Sequence, residues 1–280
     1  MPSPIYLCGP TASGKTALAL ELAEKHDGEI VNADAFQLYR GLEVLTAAPL
    51  EAERGTVPHH LFSVLDPSIA NDAMAYTRLA RPLITDILAR GRTPIVTGGS
   101  GLYLKFLTHG ASPLPTGDAA LREEMDALSL DELFQQLQEL DPAEAARIEK
   151  QNRRFVSRAL EICKLTGQKA SELRDSWEKS TAERSASLRG YVIQRTRPEL
   201  HARIERRTRR MLKDGAIEEV AALGPLSITC QKAIGLPQIQ ALLRGEIDHA
   251  TCEEQILIAT RQYAKRQETW FRRETWLTPV

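Results

Sequence analysis

The chain has 280 residues, 42% of them hydrophobic and 26% charged. This is ordinary for a soluble globular protein and allows one large domain, or one domain carrying an insertion. A net charge of -1 excludes a generic polyanion binder, so a nucleic-acid site must come from local clustering of basic residues. The cysteines (Cys8, Cys163, Cys230, Cys252) form no C-x-x-C pair, which argues against a zinc site or disulfide framework and for a reducing cytosol. No signal-peptide pattern opens the chain and no apolar run approaches membrane-spanning length, so a cytoplasmic protein without membrane contact is expected.

"IYLC" (Ile5 to Cys8) is a short apolar run stopping at Gly9 and reads as a strand. After a glycine-rich turn, Ala17, Leu18, Leu20, Leu22 and Ala23 give a helix with an apolar face. "EIVNA" reads as a second buried strand ending at Asp34, and "LFSVLD" (Leu61 to Asp66) as a third. "AMAYTRLARPLITDILARG" predicts a helix bent by Pro82 and stopped by Gly91. "RTPIVTGG" is a strand running into another glycine turn, followed by the helix "GLYLKFL". Strands alternating with helices predict a three-layer α/β core with a parallel sheet. Ligands collect at the carboxyl ends of such strands, where Gly9 to Thr16, Asp34 and Gly98 to Ser100 converge.

From Asp118 to Ser187 the pattern turns wholly helical, with breaks near Asp141-Pro142 and Thr166-Gly167. The expected division is therefore a catalytic core of residues 1–117 and 188–280 and a helical insertion of residues 118–187. Residues 150–169 carry six bases and one acid, and Arg154 and Arg158 share a face where they can straddle phosphates. The bland alternative for such a run is a solvated helix face. "YVIQRT" reads as a returning core strand. In the helix that follows, Arg203, Arg206, Arg207 and Arg210 fall at i, i+3, i+4 and i+7. The last long helix turns Ile256, Ala259, Tyr263 and Trp270 inward and displays Arg261, Lys265, Arg266, Arg272 and Arg273.

"GPTASGKT" matches G-x-x-x-x-G-K-[ST] at Gly9, Gly14, Lys15 and Thr16. Glycine lets the backbone N–H groups turn toward phosphate oxygens, the following helix presents its N-terminal dipole, Lys15 adds a positive charge, and the Thr16 hydroxyl can ligate Mg²⁺. The strand "TPIVTGGS" ends without a carboxylate, which counts against a hydrolysing motor or switch that holds Mg²⁺ with a second acid. Asp34 reads either as a turn or helix cap, or as a carboxylate facing the loop that accepts a proton from a nucleophile. Gln37 has a donor and an acceptor suited to the edge of adenine.

With "NAD-x-x-Q-x-YRG", "PHHL", "GGS-x-LY-x-K", "RALEI-x-x-x-TG" and "ATRQYAKRQ-x-TWFR" added in order, the chain resembles the tRNA dimethylallyltransferases from about Ile5 to Arg272. The resemblance implies a phosphate-loop fold and transfer of a dimethylallyl group from its diphosphate to N6 of the adenosine 3′-adjacent to the tRNA anticodon. It implies that Gly9, Pro10, Thr11, Ala12, Ser13, Gly14, Lys15 and Thr16 hold the prenyl diphosphate with Mg²⁺ on Thr16, and that Asp34 takes the amino proton. One arginine reaches the diphosphate: Arg207, with Arg203 or Arg206 as alternatives. It further implies tRNA contacts at Asp34, Ala35, Phe36, Gln37, Ser100, Arg122, Arg154, Arg158, Lys232 and Gly235, in a monomer of the bacterial type that lacks the Cys/His zinc module of eukaryotic relatives. The chain departs from the family at Ala35, where a serine is usual, at Leu45 and Ala48 in the stretch usually reading G-T-A-K-P, at Phe155, and at Leu236-Pro237. An adenylate isopentenyltransferase, a small-molecule kinase and a non-catalytic RNA-binding descendant remain the alternatives.

Overall fold

The computed structural model describes residues 2–110, 115 and 117–280. Every residue of the first, second and fourth strands is buried, as expected of a parallel sheet covered on both faces. The strands are β1 (Ile5–Cys8), β2 (Gly28–Asn32), β3 (His59–His60), β4 (Thr93–Gly98), β5 (Arg189–Val192) and β6 (Leu277–Pro279). They form one sheet in the order β3-β2-β4-β1-β5-β6, with every pairing parallel. Between the strands up to β4, and just after it, run α1 (Lys15–Lys25), α2 (Glu43–Thr46), α3 (Glu51–Arg54), α4 (Ala73–Ala89) and α5 (Gly101–His109).

Alternation along the strands feeds two cores. Ile5, Leu7, Ile30 and Ile95 face Ala19 and Ala23 of α1. Tyr6, Cys8, Val31 and Val96 pack with Tyr76, Ala80 and Ile87 of α4 and Leu104 of α5. Helix α4 runs through Pro82 as a single element. Pro82 and Arg78, four residues before it, both lie on the exposed side of the helix.

One local expectation is corrected. The third strand is His59–His60, and Leu61–Asp66 is not a strand, because Leu61 and Ser63 adopt left-handed φ of 62° and 53°. Leu65 keeps only an isolated bridge to Tyr39. The edge strand β6 was not anticipated.

The chain divides into two compact units, residues 1–108 with 187–280, and residues 109–186. The second unit is helical: α6 (Ala119–Asp126), α7 (Leu130–Leu140), α8 (Pro142–Arg147), α9 (Arg153–Thr166) and α10 (Ala170–Ser185). Asp118, Ser129 and Asp141 cap helix N-termini through their side chains, and Gly167 ends α9 in the left-handed conformation. Met125, Leu133, Leu137, Val156 and Leu160 form its core. In the first unit, α11 (Arg197–Lys213), α12 (Ala216–Ala221), α13 (Leu236–Leu243) and α14 (His249–Phe271) complete the fold. They share a third core with Tyr39, Leu42 and Leu45. Among the described residues no helix is long and apolar enough to cross a membrane.

Candidate active site

After β1 the chain curls through left-handed backbone at Gly9 (φ 155°), Ala12 (61°) and Gly14 (100°). A Cβ on Gly9 would meet Ser13 Oγ at 3.0 Å and the Ile193 carbonyl oxygen at 3.3 Å, so the turn needs glycine on both conformational and steric grounds. The loop delivers Lys15 and Thr16 to the first turn of α1, where unpaired N–H groups and the helix dipole favour an anion.

Cations hold the carbonyl side of this loop. Lys15 Nζ donates to the Gly9 and Pro10 carbonyl oxygens at 2.9 and 2.8 Å. Arg203 Nε donates to Ala12 O at 2.6 Å and Arg195 Nε to Ser13 O at 3.2 Å. Arg207 donates to Thr11 Oγ1 at 2.7 Å and to Thr46 O at 2.8 Å. The Gly9, Pro10, Ala12 and Ser13 carbonyls are thus occupied, and one of the three Lys15 N–H bonds is left over. Burial lowers the Lys15 pKa to about 8, opposed by the Asp34 carboxylate and reinforced by Arg207. Burial likewise lowers the Arg207 pKa, again opposed by Asp34. Thr16 is exposed at the helix start.

Asp34 follows β2. Its N–H donates to Asn32 Oδ1 at 2.9 Å, and its Oδ1 accepts from the Phe36 N–H at 3.1 Å. The carboxylate therefore closes a local turn with one oxygen and keeps the other for its surroundings. Those surroundings are two cavities. A cleft of about 770 Å³ is lined by Lys15, Thr16, Asp34, Arg203, Arg206 and Arg207, with Ile30, Ala48 and Phe62 at an apolar end. A cavity of about 50 Å³ is lined by Phe36, Leu45, Ile234, Thr260 and Tyr263. Thr11, Asp34, Thr46 and Arg207 line both, so the acid stands at their junction.

Around that junction the other candidates fall as follows. Ser100 Oγ accepts from the Ala35 N–H at 2.8 Å. Phe36 meets Tyr263 with ring centroids 6.4 Å apart. Gln37 turns its Nε2 to the Thr46 and Ala47 carbonyls at 3.1 and 3.0 Å, leaving Oε1 as its unoccupied group. Lys232 is exposed on a short 3-10 turn. At Gly235 (φ 96°) a Cβ would lie 2.7 Å from Leu45 Cδ1. Of the four arginines on the α11 face, two hold the loop backbone or Thr11, and all four line the cleft.

In the helical unit, Arg122 and Arg158 converge on Glu161, which is 1% exposed, at 2.9 and 2.5 Å. Arg158 also donates to Pro115 O at 2.5 Å. Arg154 is exposed, and Phe155 is 55% exposed.

Sequence reasoning missed the lining contributed by Tyr263, Ile234, Thr260 and Met211. Tyr263 was read as a core residue because it sits on the inward face of α14. It also missed Glu219, whose carboxylate accepts from the Val44 and Leu45 N–H groups at 2.9 and 2.8 Å and so anchors α2 beside the cleft. Nothing local signals a partner 175 residues away.

The fold and loop are those of a phosphate-loop α/β protein with an acid lining the same cleft as the loop. A family model described as IPP transferase matches residues 37–274. The chain is 48% identical over 273 residues to a tRNA dimethylallyltransferase of Akkermansia muciniphila, covering 98% of this chain and 91% of that one. It is 42% identical over 283 residues to the tRNA dimethylallyltransferase of Rhizobium leguminosarum, covering 97% and 95%. Its structure is similar to that of the full-length tRNA isopentenylpyrophosphate transferase of Bacillus halodurans, with a TM-score of 0.72, 33% identity, and coverage of 100% and 90%. It is also similar to a eukaryotic dimethylallyltransferase solved acting on tRNA, with a TM-score of 0.78, 25% identity, and coverage of 100% and 74%. The chain belongs to the IPP transferase family.

Proposed function

We propose that this chain transfers a dimethylallyl group from dimethylallyl diphosphate to N6 of the adenosine 3′-adjacent to a tRNA anticodon, releasing diphosphate. One observation carries the reading: Asp34, Thr11 and Arg207 line both the cation-walled cleft and the small aromatic-walled cavity. The cleft suits a diphosphate with an apolar tail, the Phe36 and Tyr263 rings beside the small cavity suit stacking against a base, and the acid stands between them. The relatives' activity supports the same reading.

In this mechanism the diphosphate binds to the N–H groups at the start of α1, to Lys15 and to the arginines of α11. The base leaves its stack, at a cost of a few kcal/mol, and presents N6 to Asp34. The N6 lone pair is delocalised into the ring, so N6 is a weak nucleophile. Asp34 accepts its hydrogen bond and takes its proton as the nitrogen–carbon bond forms. The allylic carbon–oxygen bond breaks, and its electron pair passes to the diphosphate oxygen. Lys15, Arg203 and Arg207, in a partly desolvated cleft, stabilise that charge.

Among the described residues no three His, Cys, Asp or Glu side chains gather into a metal cage. The donor set suits Mg²⁺ all the same, because that ion keeps several waters and is usually held by one or two protein groups plus substrate phosphates. Thr16 would supply that protein group, and the ion would neutralise diphosphate charge. Exposed Arg154 and Phe155 of the helical unit, together with Lys232, contribute tRNA contacts, and the enzyme works as a cytoplasmic monomer.

The test is incubation with labelled dimethylallyl diphosphate and unmodified tRNA. The expected result is label in the tRNA with an equal amount of diphosphate released. Label in free adenylate, or ATP consumed without RNA, would overturn the reading.

A further inference from the structure

Gln267 lies on α14, 4% exposed and 256 residues from the phosphate loop. Its Oε1 accepts from the Thr11 N–H at 2.8 Å, and its Nε2 donates to Gly99 O at 2.9 Å. These are the two complementary functions of one amide. The fit is close: a Cβ on Gly99 would sit 2.2 Å from Gln267 Nε2 and 3.4 Å from the Gly9 carbonyl oxygen.

The Gly99 turn in turn supports the acid. A Cβ on Gly98 would lie 2.2 Å from the Ala33 carbonyl, so the two backbones pack directly. Ser100 N–H donates to Ala33 O at 3.3 Å, and Ser100 Oγ accepts from Ala35 N–H at 2.8 Å. Asp34 lies between these two contacts. Thr11, at the other end of the Gln267 bridge, carries the hydroxyl that accepts from Arg207.

We propose that Gln267 is a positioning residue that fixes the distance between the diphosphate-binding loop and the acid-bearing loop. The proposal rests on the transfer reading above. Gln267 touches neither substrate; it acts through Thr11 and Gly99. It also occupies the Thr11 N–H, so the diphosphate is met by the N–H groups further along the loop. Misplacement of reacting groups by about 1 Å can cost on the order of 10²-fold in rate, so a single buried amide in this place bears on turnover.

Two variants test it, with tRNA affinity and the folded fraction followed by circular dichroism in each. Gln267→Leu keeps bulk and removes both bonds. The expected result is kcat lower by about 10- to 100-fold and faster hydrogen exchange at the Thr11 amide, with the tRNA Kd unchanged. Gln267→Glu can make both bonds only when protonated: the acid O–H donates to Gly99 O and the carbonyl oxygen accepts from Thr11. Burial raises such a carboxyl's pKa, so the ratio of variant to wild-type kcat should rise as pH falls. A role in packing alone predicts a pH-independent ratio among folded molecules. Wild-type kcat in Gln267→Leu, or a ratio in Gln267→Glu that stays flat and well below one, overturns the proposal. If Gln267→Leu does not fold, the Gln267→Glu ratio decides. The Thr11 exchange readout needs no turnover, so failure of the wild-type protein to transfer dimethylallyl would strike the transfer reading and not the bridge.

Discussion

Strand β2 carries Glu29 near its start, and Asp34 follows its end. Glu29 is 1% exposed, and both its oxygens are matched. Arg90 grips both oxygens, Arg92 donates to Oε1 at 3.3 Å, and His60 Nε2 meets Oε2 at 2.7 Å. The Arg90 hydrogen bonds, helped by His60 and opposed by burial, hold the carboxyl at about 2. Asp34 has a single turn-closing bond on one oxygen, and the cations near it are engaged elsewhere, Lys15 with the Gly9 and Pro10 carbonyls and Arg207 with the Thr11 hydroxyl and Thr46 O. An acid whose lone pairs are all filled holds the fold; an acid with an oxygen left over can do chemistry. Substitutions at the two ends of the strand should therefore fail in different ways.

The largest expected effect is at the cation facing Asp34. Lys15→Ala should slow transfer by about 10²- to 10³-fold, as loss of other charge-stabilising donors does, and raise the KM for prenyl diphosphate. ATP should compete only weakly; tight ATP binding with turnover would break the leaving-group reading. Lys15 also has a stability signature. Its folded pKa of about 8 lies below its ordinary 10.5. Between those values the unfolded chain binds more protons, so stability rises with pH there. Wild type should gain on Lys15→Met in urea titrations as pH climbs from 8 to 10.5, and a constant difference would contradict the burial of this amine.

Asp34→Asn should cut turnover by about 10²-fold or more, as loss of a general base does, with tRNA binding and thermal stability nearly intact. Near-wild-type turnover would remove Asp34 from the mechanism. Glu29→Gln should do the reverse. It leaves Arg90 and Arg92 facing a neutral amide and should destabilise by about 3 kcal/mol at neutral pH, with kcat unchanged below the melting range. The folded pKa is depressed, so the Glu29 contribution is full above about 4.5 and is lost as pH falls toward about 2. The gap between Glu29→Gln and wild type should close over that window, and a gap of equal size at pH 2.5 and pH 7 would mean the cluster does not act as described.

Strands β1, β2 and β4 were legible because each is an apolar run stopped by glycine, asparagine or aspartate. The curl at Gly9 and Gly14 is local, so the spacing of two glycines already implies it. β3 was misread because Leu61 and Phe62 are apolar, yet the left-handed backbone at Leu61 and Ser63 follows from what packs around them. The hold on the loop was less legible still. Four arginines at helical spacing look alike in sequence, and only tertiary packing distinguishes Arg203, which meets Ala12 O, from Arg206. Arg195, Glu219 and Gln267 reach across more than 170 residues, and no local pattern carries that information.

The smallest effects sharpen the contrast in the helical unit, where Glu161 is another saturated acid. It accepts from Arg122, Arg158 and the Asp118 N–H, and these bonds hold its pKa low although burial pushes it up. Arg122 and Arg158 should behave like the partners of Glu29, and Arg154, exposed one turn from Arg158, like a free phosphate ligand. Arg154→Ala should flatten the salt dependence of tRNA binding by about one unit of slope, the share of one phosphate contact, and leave the melting temperature alone. Arg158→Ala should lower the melting temperature, because it strips a partner from a buried carboxylate, and change the salt slope less than Arg154→Ala does. If Arg158→Ala flattens the slope as much as Arg154→Ala at unchanged stability, its guanidinium leaves Glu161 when RNA binds, and the division between fold-holding and ligand-holding cations fails at that residue.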